Sequence, residues 1–286
     1  MSEKIIIASD STSDLGQELI SKYGIKILPL GVTLGETTYT DGVDIDPDKI
    51  YENYEKNGEL PKTSAVNIAD FEDFFEEYTS EGYSVVLFTI SSEMSSTFSN
   101  ARLAAEDFPG VYPVDSRNLS TGAGLLVVAA AEMAEKGMTA QEIADECNRL
   151  AAYVDASFVI DSLEFLHKGG RCSALAAFGA NLLQLKPCIV VKDGKMGVGK
   201  KYRGRFSAVL PQYIAERIGD GSDIENDKIF VTHAGCEQEI IDSCVAKVKE
   251  LIPDANVFVT RAGCTISSHC GRNTLGVLFV RKSPIQ

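Results

Sequence analysis

The sequence predicts an α/β N-terminal domain on a largely parallel sheet, followed by an α+β C-terminal domain with a mixed or antiparallel sheet. Three observations carry this. In the first half, short apolar runs alternate with longer segments of helical periodicity, the pattern of strands joined by crossover helices. In the second half, CIVVKDGKMGVGKKY reads as two strands around an Asp193-Gly194 turn, a hairpin signal that breaks a purely parallel sheet. No Pro/Gly-rich linker and no internal repeat separates the halves, so the boundary is placed near 155, giving domains 1–155 and 156–286 that pack closely.

The elements follow in order. Lys4 to Ala8 is a strand, and DSTSDLGQELISKYG a loop and helix. Ile25 to Leu34 reads as one strand and TTYTDGV as a turn. Asp46-Pro47 opens a helix with proline at its first position. Asn67 caps a helix whose apolar face is Ile68, Phe71, Phe74, Phe75 and Tyr78. Strand 84–90, helix 97–107, strand 111–115 and helices near 120–136 and 139–153 complete the first half. Then come strand 157–160, a helix from Ser173 to Leu183, the hairpin, helix 206–218, strand 228–234, helix 237–252, strand 256–260 and strand 276–281.

The 286 residues carry 44% hydrophobic and 24% charged side chains, the balance of a globular protein with a proper core. The apolar run Leu125 to Ala131 is too short to span a bilayer, and MSEKIIIASD has no apolar core of a secretory signal. Seven cysteines without CxxC spacing fit reduced thiols in a cytoplasmic setting. A formal charge of −14 argues against nucleic acid and anionic membranes as general partners. One basic stretch runs against it: Lys192, Lys195, Lys200, Lys201, Arg203 and Arg205 make either a solvated hairpin or a docking patch for an acidic partner.

Several motifs fail on inspection. GKMGVGK has phosphate-loop glycines, but Lys201 stands where Ser or Thr should hold Mg²⁺, and no helix follows. Cys264, His269 and Cys270 lack zinc spacing, and no metal site is expected. Asp10-Ser11-Thr12-Ser13-Asp14 is either an oxygen-rich ligand loop or a set of caps.

The segment SVVLFTISSEMSSTFSNARLAAE is more informative. Its hydroxyls follow a buried strand and precede a helix N-terminus, where open α/β sheets place ligands. Free helical N–H groups and the helix dipole favour an anion there. With no Lys or Arg, and with Glu93 present, the loop suits a single carboxylate better than a polyphosphate; the alternative is a serine-rich capping loop. LPKTSAVN at 60–67 carries the same two readings.

Taken in order and spacing, IIIASDSTSDL, ILPLGVTLG, KTS at 62–64, ISSEMSSTFSNA at 90–101, VDS at 114–116, LEFLHKGGRCS at 163–173, LKP at 185–187, KYRGRFSA at 201–208 and SSHCG at 267–271 make the chain resemble the DegV family, fatty-acid-binding proteins that serve bacterial fatty acid kinase. The resemblance implies a long-chain fatty acid in a tunnel, its carboxylate at the domain junction on Thr63, Ser95 and His269. It implies Arg171 and Arg203 near the head group and a partner kinase. It implies no cofactor and no catalysis by this chain, and it allows transient membrane contact. Ser96 stands where the family usually has glycine, which either tightens the loop or adds a donor; Cys270, Arg272 and Asn273 stand where the family often has a glycine-rich run. The residues nominated for the tunnel are Phe88, Met94, Phe98, Phe158, Phe165, Phe178, Leu182 and Leu183. Two rival readings remain: an enzyme at the same sheet edge, with Ser95 as nucleophile and His269 as base, and a lipid carrier or sensor without a kinase.

Overall fold

The computed structural model describes residues 3–172 and 185–285. Its strands are β1 (Ile5–Asp10), β2 (Lys26–Leu28), β3 (Gly31–Leu34), β4 (Thr37–Thr40), β5 (Lys62–Ser64), β6 (Ser84–Thr89), β7 (Val111–Asp115), β8 (Val154–Ile160), β9 (Leu185–Lys192), β10 (Lys195–Arg203), β11 (Ile229–Ala234), β12 (Val257–Arg261) and β13 (Thr274–Val280). Its helices are α1 (Gln17–Tyr23), α2 (Pro47–Asn57), α3 (Ile68–Thr79), α4 (Thr97–Ala104), α5 (Thr121–Glu135), α6 (Ala140–Leu150), α7 (Glu164–Lys168), α8 (Phe206–Ile218), α9 (Gln238–Leu251) and α10 (Cys264–Cys270).

The N-terminal sheet has the order β2-β1-β6-β7, all parallel. Val85 to Phe88 are fully buried, as strands covered on both faces must be. The larger sheet, β10-β9-β8-β13-β11-β12, is antiparallel except for the β11–β12 pair. The sequence thus anticipates both sheets. A division at 155 falls at the start of β8.

A third sheet, β4-β3-β5, is antiparallel and was not foreseen. The stretch read as one strand from Ile25 to Leu34 splits at Pro29-Leu30. Its first part joins the parallel sheet, and its second turns to pair with β4 and β5. Proline has no N–H for a ladder, so it is a natural breakpoint. The segment read as a turn supplies β4, and the KTS loop is itself a strand. Two short helices, α7 and α10, were also missed. The helix expected from Ser173 to Leu183 lies outside the described residues.

The centre of the molecule is α5. Leu125, Leu126, Val127, Val128, Ala130 and Ala131 are all buried, and the helix packs against β1 and β6 on one side and β8 and β13 on the other. A helix that is apolar all round belongs inside a core. Gly124 lets it close on the first loop: a Cβ there would stand 2.8 Å from both the Ser13 carbonyl oxygen and a Leu15 methyl. One hydrophobic cluster therefore runs from Ile7 and Phe88 in the first sheet to Phe158 and Leu278 in the second.

Candidate functional site

The serine loop after β6 divides its hydroxyls between two tasks. Ser91 Oγ donates to the Gly194 carbonyl at 2.7 Å, fastening the loop to the β9–β10 turn. Ser92 uses its N–H and its hydroxyl on Asp115. Glu93 pairs with Arg117 and Lys195 at 3.8 and 3.3 Å, so its charge is answered locally. Ser95 and Ser96 instead face a cavity, with Ser95 Oγ 2.8 Å from Thr97 Oγ1. Ser96 is the N-cap residue of α4 and makes no capping bond with its side chain.

Opposite lies α10. Its N-terminus is tied to the first half by carboxylates. Asp14 accepts from Gly263 N at 2.8 Å; Asp41 accepts from Cys264 N, Thr265 N and Thr265 Oγ1 at 2.8, 3.0 and 2.6 Å. Ser11 donates to Asp41 at 3.0 Å and accepts from Leu30 N at 3.1 Å. Asp10 caps the turn at Ser11–Ser13 and accepts from Ile90 N at 2.8 Å, at the start of the serine loop. The DSTSD loop therefore acts as caps and ties. Among the described residues no cation offsets the burial of Asp10 and Asp14, and desolvation pushes Asp10 up to about 6 and Asp14 up to about 8.

The result is a contact across 206 residues of sequence: Thr63 Oγ1, from β5, lies 2.8 Å from His269 Nε2, from α10. Burial, with the Arg171 guanidinium nearby, pushes His269 down to about 4, so the ring is neutral at physiological pH. Arg171 follows α7 and donates to the Gly169 carbonyl at 2.7 Å. Gly169 sits directly against the histidine: a Cβ there would be 2.7 Å from Nδ1 and 2.9 Å from the Phe165 carbonyl oxygen.

Thr63, Ser95, Ser96, Arg171 and His269 line one cavity of about 180 Å³. Its deeper wall is Leu30, Ile90, Met94, Leu119, Met196 and Ile266. Leu119, Ile266 and Cys270 also border a second space of about 20 Å³ against Phe158, Gly276 and Leu278. Hydroxyls thus give way to hydrocarbon where the two spaces share a wall. Arg203 is exposed at the end of β10 and does not line this cavity. A larger open groove of about 670 Å³ lies beside Arg205, Lys186 and Arg272, but Asp161 and Glu237 share it, and among the described residues Phe206 and Ile240 are its only large apolar side chains. It lacks the apolar depth of a ligand pocket.

Of the residues nominated for the tunnel, Met94 lines the first space and Phe158 the second. Phe88 is core. Phe165 stacks edge-on with Tyr54, and Phe98 borders neither space. Phe178, Leu182 and Leu183 lie outside the described residues. Leu30, Leu119, Met196 and Ile266 were not anticipated; each is an ordinary core residue until three sheets meet. Ser95 and His269 are not bonded to each other, and the hydroxyl beside the imidazole is that of Thr63.

A family description, an uncharacterised protein of the DegV family, matches residues 4–282. The chain belongs to the DegV family. A DegV domain-containing protein of Clostridium acetobutylicum is 33% identical over 283 residues, spanning 98% of this chain and 99% of the relative. Among solved structures, a DegV family protein of Thermus thermophilus, described by its fatty acid binding, aligns with TM-score 0.87 and 29% identity over 97% of this chain and 99% of that one. DegV of Bacillus subtilis, described as a fatty acid binding protein, aligns at 0.85 and 29% over 98% and 100%. A stearic acid-binding protein of Eubacterium ventriosum aligns at 0.85 and 29% over 98% of each chain.

Proposed function

We propose that this DegV protein binds one long-chain fatty acid, with its carboxylate held by Thr63 and Ser95, Ser96 beside them and His269 behind Thr63, and its acyl chain running past Met94, Leu119 and Ile266 toward Phe158. The observation that carries this is a pair of adjoining spaces: a mouth of hydroxyls, imidazole and Arg171 that shares Leu119, Ile266 and Cys270 with an apolar floor. Solved relatives described as fatty-acid-binding proteins support the same class of ligand. The head group sets orientation, because a hydrogen bond to a charged group is worth about 1.5–3 kcal/mol. The chain sets affinity: about fourteen methylenes at about 0.8 kcal/mol each give on the order of 11 kcal/mol before ordering costs.

In this reading the protein is a carrier that presents the carboxyl group to an ATP-dependent partner kinase for acyl-phosphate formation and performs no chemistry itself. On the same proposal Arg171, which lines the cavity, meets the head group, and the exposed Arg203 meets the partner. The enzyme reading loses support because Ser95 and His269 do not form a nucleophile–base pair. Mass spectrometry of an organic extract of the purified protein tests the proposal. A stoichiometric fatty acid is expected in the wild type, with much less in a Thr63→Val/Ser95→Ala variant. An empty wild type that also fails to take up added palmitate would overturn it.

A further inference from the structure

The two spaces of the cavity are walled by different kinds of side chain. Among the described residues, Met94 and Met196 border only the first space, Leu119, Ile266 and Cys270 border both, and Phe158, Gly276 and Leu278 border only the second. A chain anchored at the hydroxyls therefore passes the two methionines before it reaches Phe158.

The methionine backbones are fixed. Met94 N donates to the Ser91 carbonyl at 2.9 Å, and Ser91 Oγ donates to the carbonyl of Gly194, two residues before Met196. Met196 itself pairs with Val191 in the β9–β10 ladder. Both side chains are partly buried and pack against the central cluster. Methionine is unbranched, with three rotatable bonds and a polarizable sulfur, so it repacks around an irregular shape at little cost. The first space thus has a rigid frame and two soft walls.

The second space has no such give. Gly276 lies inside the sheet, paired with β8 on one side and β11 on the other. A Cβ there would stand 2.7 Å from the Ser157 carbonyl oxygen and 3.0 Å from Phe158 Cβ. Phe158, Ala234, Ala262 and Leu278 around it are buried. A close-packed sheet interior accepts an added methyl group only by strain.

We propose that Met94 and Met196 are specificity-determining residues: they let the cavity take long-chain fatty acids with a small branch near the carboxyl end, while the floor rejects the same branch at the far end. This deepens the fatty acid reading above and rests on it.

Two isomers, 3-methylhexadecanoate and 15-methylhexadecanoate, test it, since they share their atoms and main-chain length and differ only in where the methyl group sits. The wild type should bind the first within about threefold of palmitate and the second at least about tenfold more weakly, one extra carbon in an apolar pocket being worth about 10–200-fold. Met94→Ile/Met196→Ile nearly conserves volume but brings side chains that are stiff at χ1. It should lose about tenfold for the 3-methyl isomer and keep palmitate within about threefold. If thermal melting shows the double variant unfolded, Met196→Ile alone is read the same way, with a loss of about threefold for the 3-methyl isomer. A wild type that binds palmitate but holds the two isomers equally, or prefers the 15-methyl one, overturns the proposal. So does a folded variant that keeps its full affinity for the 3-methyl isomer. A wild type that binds neither palmitate nor either isomer instead overturns the fatty acid reading.

Discussion

The mouth and the floor of the cavity are built on different principles. The mouth takes Thr63, Ser95 and His269 from a three-residue strand, a loop and a seven-residue helix, each unstable alone: the strand is held by its pairing with β3, the loop and the helix by hydrogen bonds to buried carboxylates. The floor takes Leu119 and Phe158, with Ile266 from the inner side of α10, from the hydrophobic cluster around α5, where the side chains meet by packing. Polar geometry sets the first, apolar volume the second. Orientation and affinity for a ligand should therefore be separable by mutation.

The largest effect should come from filling the floor. Leu119→Trp puts an indole where both spaces narrow; ligand recovered in an organic extract should fall at least about a hundredfold, while overpacking costs about 1–3 kcal/mol of stability by thermal melting. A folded variant that still carries lipid would erase the distinction. Next, Ser95→Ala should weaken palmitate binding about tenfold without changing the preferred chain length, since it touches only the mouth.

The mouth should also answer to pH where the floor does not. Asp10 and Asp14 bind protons more tightly folded than unfolded, so their contribution to stability is complete below about pH 4 and is lost as pH rises through about 6 and then about 8. Asp14→Asn should flatten the upper part of that decline in urea titrations between pH 6 and 9. His269 works in the other direction: with its pKa lowered to about 4, its contribution is present above about pH 6.5 and lost as pH falls toward 4. The smallest effects belong to the arginines. Arg171→Gln should cost about threefold in palmitate affinity, and Arg203→Gln should leave it unchanged because it lies outside the cavity.

The sequence showed the mouth better than the floor. Ser95, Thr63 and His269 each sit in a polar stretch at the edge of an apolar run, a local signal that left a capping or structural role open until the family resemblance singled the three out. The residue pattern by itself did not show that Thr63 and His269 meet, which only the family resemblance implied, because β5 and α10 come together across 206 residues of sequence. Nor did it show why Ser91 and Ser92 differ from Ser95, since their partners Gly194 and Asp115 are remote in sequence. Leu119 and Ile266 were illegible for a simpler reason. An apolar residue that borders a void and one that fills a core look the same until neighbouring elements fix the volume between them. The long strands and α5 were readable because their own apolar pattern decides their state. The short α7 and α10 were not, because tertiary bonds alone decide theirs.

Because α5 gives both of its faces to a single hydrophobic interior, the two halves have no seam along which to come apart. Calorimetry should record one melting event for the whole chain, and neither half expressed by itself should acquire a stable native state.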